Sequence, residues 1–166
     1  NKPTSDNFGE FLIDLKNNRS IAPPPPPAPT LQCNQIGTNN FFGCYYNNKD
    51  LTELKATRTD NEINFDWKER SPDPSILPDT FSARWEGNFD FKQSGIYKFT
   101  ATTDDGMRIR IDDSSVLETW FNQMATYTFE KDLTQGTHKI KVEYYENDGF
   151  ATAKLSWGLL PSLTAD

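Results

Sequence analysis

A chain of 166 residues with a formal net charge of −7 is long enough for one folded domain with appendages and short for two full cores. Its Lys and Arg residues stand scattered, so a nucleic-acid backbone finds no basic footprint. No apolar run approaches the roughly 18 to 20 residues that cross a membrane. Hydrophobic residues make up only 35%, yet 12 Phe, 6 Tyr and 4 Trp supply area for a core and favour strands over helices.

Residues 1–21 form an N-terminal segment without a basic-then-apolar leader, so any signal peptide is expected to have been removed or to precede it. Phe8, Phe11, Leu12 and Leu15 follow helical spacing and suggest one short amphipathic helix, marginal alone. Asn18-Arg19-Ser20 matches a glycosylation sequon, a weak signal by itself. Residues 22–30 hold the run Pro23 to Pro27 and Pro29, a stiff polyproline linker.

From 31 to 162 the pattern becomes that of strands, followed by a short tail at 163–166. Cys33 and Cys44 stand eleven positions apart with no CxxC spacing, and the single histidine, His138, cannot complete a zinc set. A disulfide between them is preferred over two free buried thiols, and it points to an oxidising compartment. Ile63, Phe65 and Trp67 alternate with polar residues, and so do Phe81, Ala83, Trp85, Gly87, Phe89 and Phe91. Met107, Ile109 and Ile111 repeat the pattern, as do Ile140, Val142 and Tyr144, and then Ala151, Ala153, Leu155 and Trp157. Period two in five segments means strands with one buried face each, the signature of an all-β antiparallel sandwich. Asp104-Asp105-Gly106 and Asn147-Asp148-Gly149 separate alternating runs, so both read as hairpin tips rich in carboxylates, with glycine taking a positive φ.

Chemistry-bearing residues are few. His138 reads as a strand-face residue, and no serine or cysteine sits in a nucleophile arrangement, so catalysis is not expected. Asp112, Asp113, Glu143 and Glu146 read as solvated strand or turn residues. Arg84 and Arg108 read as structural or exposed, and Trp67, Trp85, Trp120 and Trp157 as core.

Phe81-Ser82-Ala83-Arg84-Trp85-Glu86-Gly87 is followed by Ser94-Gly95-Ile96-Tyr97-Lys98-Phe99 and by Thr103-Asp104-Asp105-Gly106-Met107-Arg108. Val116 to Trp120, Gly136 to Glu146 and Gly149 to Trp157 complete the series; Phe42 to Asn47 and Thr57 to Trp67 precede it. In this order the segments resemble the PA14 domain, a β-sandwich module of extracellular adhesins, glycosidases, toxins and proteases.

The resemblance implies a carbohydrate-binding, lectin-type module that holds Ca2+. In adhesin members, adjacent aspartates joined by a cis peptide bond hold the ion, helped by an asparagine and carbonyls of a second loop, while sugar hydroxyls complete the shell. The matching metal-site positions are Asp104, Asp105, Asn147, Asp148 and Gly149, with Phe150 placed to stack on a sugar. Calcium takes six to eight hard oxygen ligands, which suits such a set. The competing reading of Asp104-Asp105-Gly106 is a turn that holds nothing, and Phe150 also reads as a strand-edge residue.

The expected function is therefore calcium-dependent glycan binding by a secreted or cell-surface protein, whose other domains are neighbouring partners. The alternative is a non-lectin structural or protein-interaction module, or an accessory domain of a larger extracellular enzyme. Neither nucleic acid nor membrane insertion is expected.

Overall fold

The structure, a computed structural model, describes residues 30–161 and, before them, strands β1 (Ile13–Asp14) and β2 (Arg19–Ser20), which pair antiparallel. The chain divides into two units, Asn1–Thr30 and Leu31–Asp166. Phe8, Phe11, Leu12 and Leu15 of the expected helix lie outside the described residues, although Ile13–Asp14 between them are strand; the Asn18 sequon position, the proline run and the tail 163–166 lie outside them too.

The second unit contains eleven strands and, among the described residues, no helix. They are β3 (Gly37–Thr38), β4 (Phe41–Tyr46), β5 (Leu54–Asp60), β6 (Ile63–Lys68), β7 (Ser82–Phe91) and β8 (Gly95–Asp104). After these come β9 (Gly106–Ile111), β10 (Ser114–Thr119), β11 (Met124–Leu133), β12 (Gly136–Tyr145) and β13 (Ala151–Leu159). The larger sheet runs β10-β9-β12-β7-β4-β5, with β3 adding a short parallel contact to β7; the smaller runs β11-β8-β13-β6. The remaining pairings are antiparallel, as a sandwich requires.

The two sheets bury the faces that alternation selects. Trp85, Ile109, Ile111, Ile140, Val142 and Tyr144 of the larger sheet are buried, as are Ile63, Phe99, Ala101, Ala153 and Leu155 of the smaller. Phe65 stacks on Trp67 and Trp85 at ring separations of 4.8 and 5.7 Å. Such pairs add about 0.5–1.5 kcal/mol each beyond area burial. Trp67 and Trp157 are partly buried against the same cluster. Asp60, buried at the end of β5, is satisfied: Tyr45 Oη and Trp85 Nε1 donate to its Oδ2 at 2.5 and 3.0 Å, and Arg58 Nε donates to Oδ1 at 2.7 Å. Cys33 and Cys44 form the expected disulfide, with Cα atoms 5.9 Å apart, pinning the segment before β3 to β4.

Both predicted hairpins are instead crossovers between sheets. β8 pairs with β11 and β13, whereas β9 pairs with β10 and β12, so Asp105 carries the chain from the smaller sheet to the larger. Residues 146–150 carry it back, from β12 to β13. Alternation tells which side chains face the core, and turn residues tell where the chain bends; neither tells which sheet receives the next strand. Gly106 does not have a positive φ; it lies in β9, where a Cβ would stand 2.2 Å from the ring of Tyr145. Gly149 does, at +94°. A true two-residue hairpin joins β9 to β10 through Asp112 and Asp113, whose φ values of 48° and 64° match a type I′ turn.

Candidate metal and ligand site

Three sheet-to-sheet connections meet at one end of the sandwich: Asp105, residues 120–123 between β10 and β11, and residues 146–150. Asp105 ties them together. Its Oδ1 accepts from the Gln123 amide at 3.1 Å and its Oδ2 from the Asn147 amide at 2.8 Å. Its own amide donates to the Tyr145 carbonyl at 3.3 Å, and Thr103 Oγ1 donates to its carbonyl at 3.0 Å. The Asp104–Asp105 peptide bond is cis.

Asp104, Asp105 and Glu146 each present a carboxylate oxygen, and the three oxygens lie within 4.8 Å of one another. Glu146 was expected to be a solvated turn residue. It is fully buried instead. Its Oε2 accepts from Tyr144 Oη at 2.9 Å, and the same hydroxyl reaches the Asp104 carbonyl. Its Oε1 is buried with no hydrogen-bond partner. A buried acceptor without a donor costs about 1–3 kcal/mol.

Electrostatics agrees. Burial, reinforced by the charges of Asp105, Asp104 and Asp79 and opposed by the Tyr144 hydrogen bond, pushes the Glu146 carboxyl up to about 8. Burial and then the charge of Asp105 raise Asp104. Burial raises Tyr144 and Tyr145 as well, helped by the neighbouring carboxylates. Crowded carboxylates that resist ionising together are what a divalent cation relieves.

Asn147 Oδ1, the anticipated amide ligand, accepts from Lys49 Nζ at 2.6 Å, and Asn147 Nδ2 donates to Asp148 Oδ1 at 3.1 Å. The ammonium of Lys49 also sits 5.8 Å from the centre of the Tyr145 ring. Asp148 is exposed and stands outside the three-carboxylate group. The Gly149 amide donates to Asp79 Oδ1 at 3.1 Å. Phe150 is 57% exposed, beside Asp104 rather than in the core. His138 Nδ1 pairs with Asp112 Oδ2 at 2.6 Å near the far end of β12, away from these loops. Trp120 is half-buried, its ring against Tyr145 at 4.7 Å and under the Arg108 guanidinium at 3.9 Å.

The strand pattern carried a signal for Glu146. Ile140, Val142 and Tyr144 face the core of β12, and Glu146 is the next residue in that phase. Tyr97, Phe99, Ala101 and Thr103 do the same in β8, and Asp105 is next. Both acids lie one step past the end of a buried face. Asp104, out of phase, lies at the outer edge.

A two-sheet β-sandwich whose crossover loops gather carboxylates at one end is the class defined here. The chain belongs to the PA14 domain family, whose profile matches residues 40–162. It is similar to the anti-sigma-I factor RsgI3 of Acetivibrio thermocellus, 41% identical over 117 residues, covering 69% of this chain but only 18% of that protein. A solved anti-sigma factor domain-containing protein from Clostridium clariflavum is 33% identical, with a TM-score of 0.71, over 78% of this chain and 44% of the other. The chain therefore spans less than half the length of these relatives. The Epithelial Adhesin 9 A domain of Candida glabrata, solved in complex with Galb1-4GlcNAc, shares the fold alone: 13% identity and a TM-score of 0.60, over 72% of this chain and 81% of that one.

Proposed function

We propose that the domain is a calcium-dependent carbohydrate-binding module, of lectin or adhesin type, in a secreted or cell-surface protein. One observation carries the reading: three carboxylates converge where two strands change sheets, and one of them buries an oxygen without a donor. Calcium accepts six to eight oxygens at about 2.3–2.6 Å, so Asp104, Asp105 and Glu146 fit as a partial shell. Asn147 adds its amide oxygen once Lys49 releases it, and Asp148 or a carbonyl near Gly149 adds another. Vicinal sugar hydroxyls fill the remaining positions, with Phe150 against the ring.

The Epithelial Adhesin 9 A domain, which shares the fold and was solved with a disaccharide, supports a glycan as ligand. The disulfide suits an oxidising, extracellular location. The anti-sigma relatives, of which this chain covers 18% and 44%, support a place as one part of a longer chain. The test is a calcium titration by calorimetry against an EDTA control, followed by a glycan array with and without calcium. Saturable calcium binding together with calcium-dependent glycan signals that vanish in Asp104→Asn upholds the proposal. A glycan signal indifferent to EDTA removes calcium from the reading, and neither calcium heat nor any glycan signal leaves only the structural-module reading.

A further inference from the structure

Beside Asp104 the outer face of the smaller sheet carries a trough of about 330 Å³. Its floor follows from strand register. Asp66, Thr152, Asp104 and Met124 stand opposite one another across β6, β13, β8 and β11, so all four leave the sheet on the same side. One step along, Lys154 stands opposite Thr102. Four strands at about 4.8 Å spacing make this row about 14 Å long, which a short oligosaccharide fills and a single ring does not.

Its walls are apolar. Met124 is 75% exposed and Phe150 57%, and both line the trough. Neither side chain contributes to the core, where Met107, the other methionine, is fully buried. A second trough, of about 370 Å³, shares Asp66 and Lys68 and continues past them to Arg70.

A polar floor of hydroxyl, carboxylate and ammonium groups between apolar walls complements a saccharide, whose ring edges carry hydroxyls and whose ring faces carry C–H groups. Building on the carbohydrate reading above, we infer that this trough is a second sugar subsite. The module then takes an internal stretch of a glycan chain, one ring at the acidic loops and the next rings across the sheet. Phe150 lines the trough together with Asp104. Asp66, Thr102 and Lys154 supply hydrogen bonds along the row, and Met124 closes its far wall.

The two methionines make the test direct. With methyl-13C methionine, Met124 reports on the trough and Met107 on the integrity of the core. Neutral gluco-, xylo- and galacto-oligosaccharides, from monosaccharide to hexasaccharide, are titrated in calcium. The expected result is an affinity that rises with length, a Met124 signal that moves only for the longer members, and a Met107 signal that stays in place. Lys154→Ala and Phe150→Ala each lower hexasaccharide affinity roughly tenfold, the effect of losing one polar or stacking partner. Calcium titrations of the same variants without sugar read the acidic loops separately.

Monosaccharide affinity equal to hexasaccharide affinity, or a Met124 signal unmoved when a hexasaccharide is bound, overturns the subsite and leaves the carbohydrate reading standing. If no sugar of the panel binds, both readings fall. If Met124 moves without length dependence, and does so equally with EDTA, the trough is an apolar contact for some other partner and the inference fails.

Discussion

Replacing Glu146 by Gln separates a cation ligand from a buried structural acid. In the calcium-free protein the Glu146 side chain crowds Asp104 and Asp105, with ligand oxygens within 4.8 Å, and leaves Oε1 without a donor. Glutamine keeps an oxygen for the Tyr144 hydroxyl and turns an amide N–H toward the aspartates. The Glu146 carboxyl, pushed up to about 8, ionises only above that pH, so there the variant should exceed the original stability in EDTA by up to about 1–3 kcal/mol, and match it below. In calcium the order reverses. At a hundredfold excess over Kd, a ligand that binds only the folded state adds about 2.7 kcal/mol, or about 10 °C in Tm for a domain of this size. Losing one charged ligand costs about 3 kcal/mol, roughly a hundredfold in Kd, and leaves about 0.4 kcal/mol of that gain. Differential scanning calorimetry of both proteins, in EDTA and in calcium, reads all four values. A variant less stable in EDTA and equally stabilised by calcium would refute the reasoning and make Glu146 a structural acid.

Lys49→Ala frees Asn147 Oδ1, which now accepts from Lys49 Nζ at 2.6 Å, and should tighten calcium binding about tenfold by calorimetry. Weaker binding would instead mean that Lys49 holds the loop in place. At the far end of β12 the His138–Asp112 pair gives a pH window. Burial lowers His138, but its hydrogen bonds to Asp112 and the Thr134 carbonyl and the charge of Asp112 outweigh that and the opposing Lys131, so its pKa is raised. Burial raises Asp112, but bonds from His138 and the Lys139 amide and the charges of His138 and Lys131 outweigh it, so its pKa is lowered. The stabilisation is thus lost as pH falls through the lowered Asp112 value or rises through the raised His138 value. Asp112→Asn should remove a maximum of well under 1 kcal/mol between them, about the size of an exposed pair, in melts taken across pH. Reducing the Cys33–Cys44 bridge, which closes a loop of 11 positions, should cost about 2–3 kcal/mol in urea melts with and without reductant.

How much of this was legible varies by level. Alternation in five segments located strands and assigned buried faces, because period two is imposed by the backbone itself. Ile109, Val142 and Ala153 face the core as their phase requires. What alternation could not give was connectivity. Asp104-Asp105-Gly106 and Asn147-Asp148-Gly149 have hairpin composition yet join different sheets, since the partner of a strand is chosen by distant packing. The acidic site shows the same division. Asp104 and Asp105 stand out as neighbours in sequence, whereas Glu146 joins them only because β12 ends beside the start of β9, with Tyr145 opposite Gly106. Its burial was readable from phase, its company was not. Lys49, 98 positions from Asn147, left no local trace at all.

The two aspartates, adjacent and chemically identical, should respond differently to the same substitution. Both oxygens of Asp105 accept backbone amides, one from residues 120–123 and one from residues 146–150, so its carboxylate braces two crossovers whether or not a cation is present. Among the described residues no hydrogen bond holds the Asp104 carboxylate, which opens onto the outer sheet face. Asp105→Asn exchanges one of those acceptors for an amide donor facing a backbone N–H, and should destabilise the domain by about 2–3 kcal/mol even in EDTA. Asp104→Asn relieves a raised carboxyl and should leave EDTA stability intact while abolishing calcium binding. If both variants behave alike in EDTA, the bracing role of Asp105 is wrong. If Asp104→Asn still binds calcium at full strength, the cation does not sit where the strands change sheets.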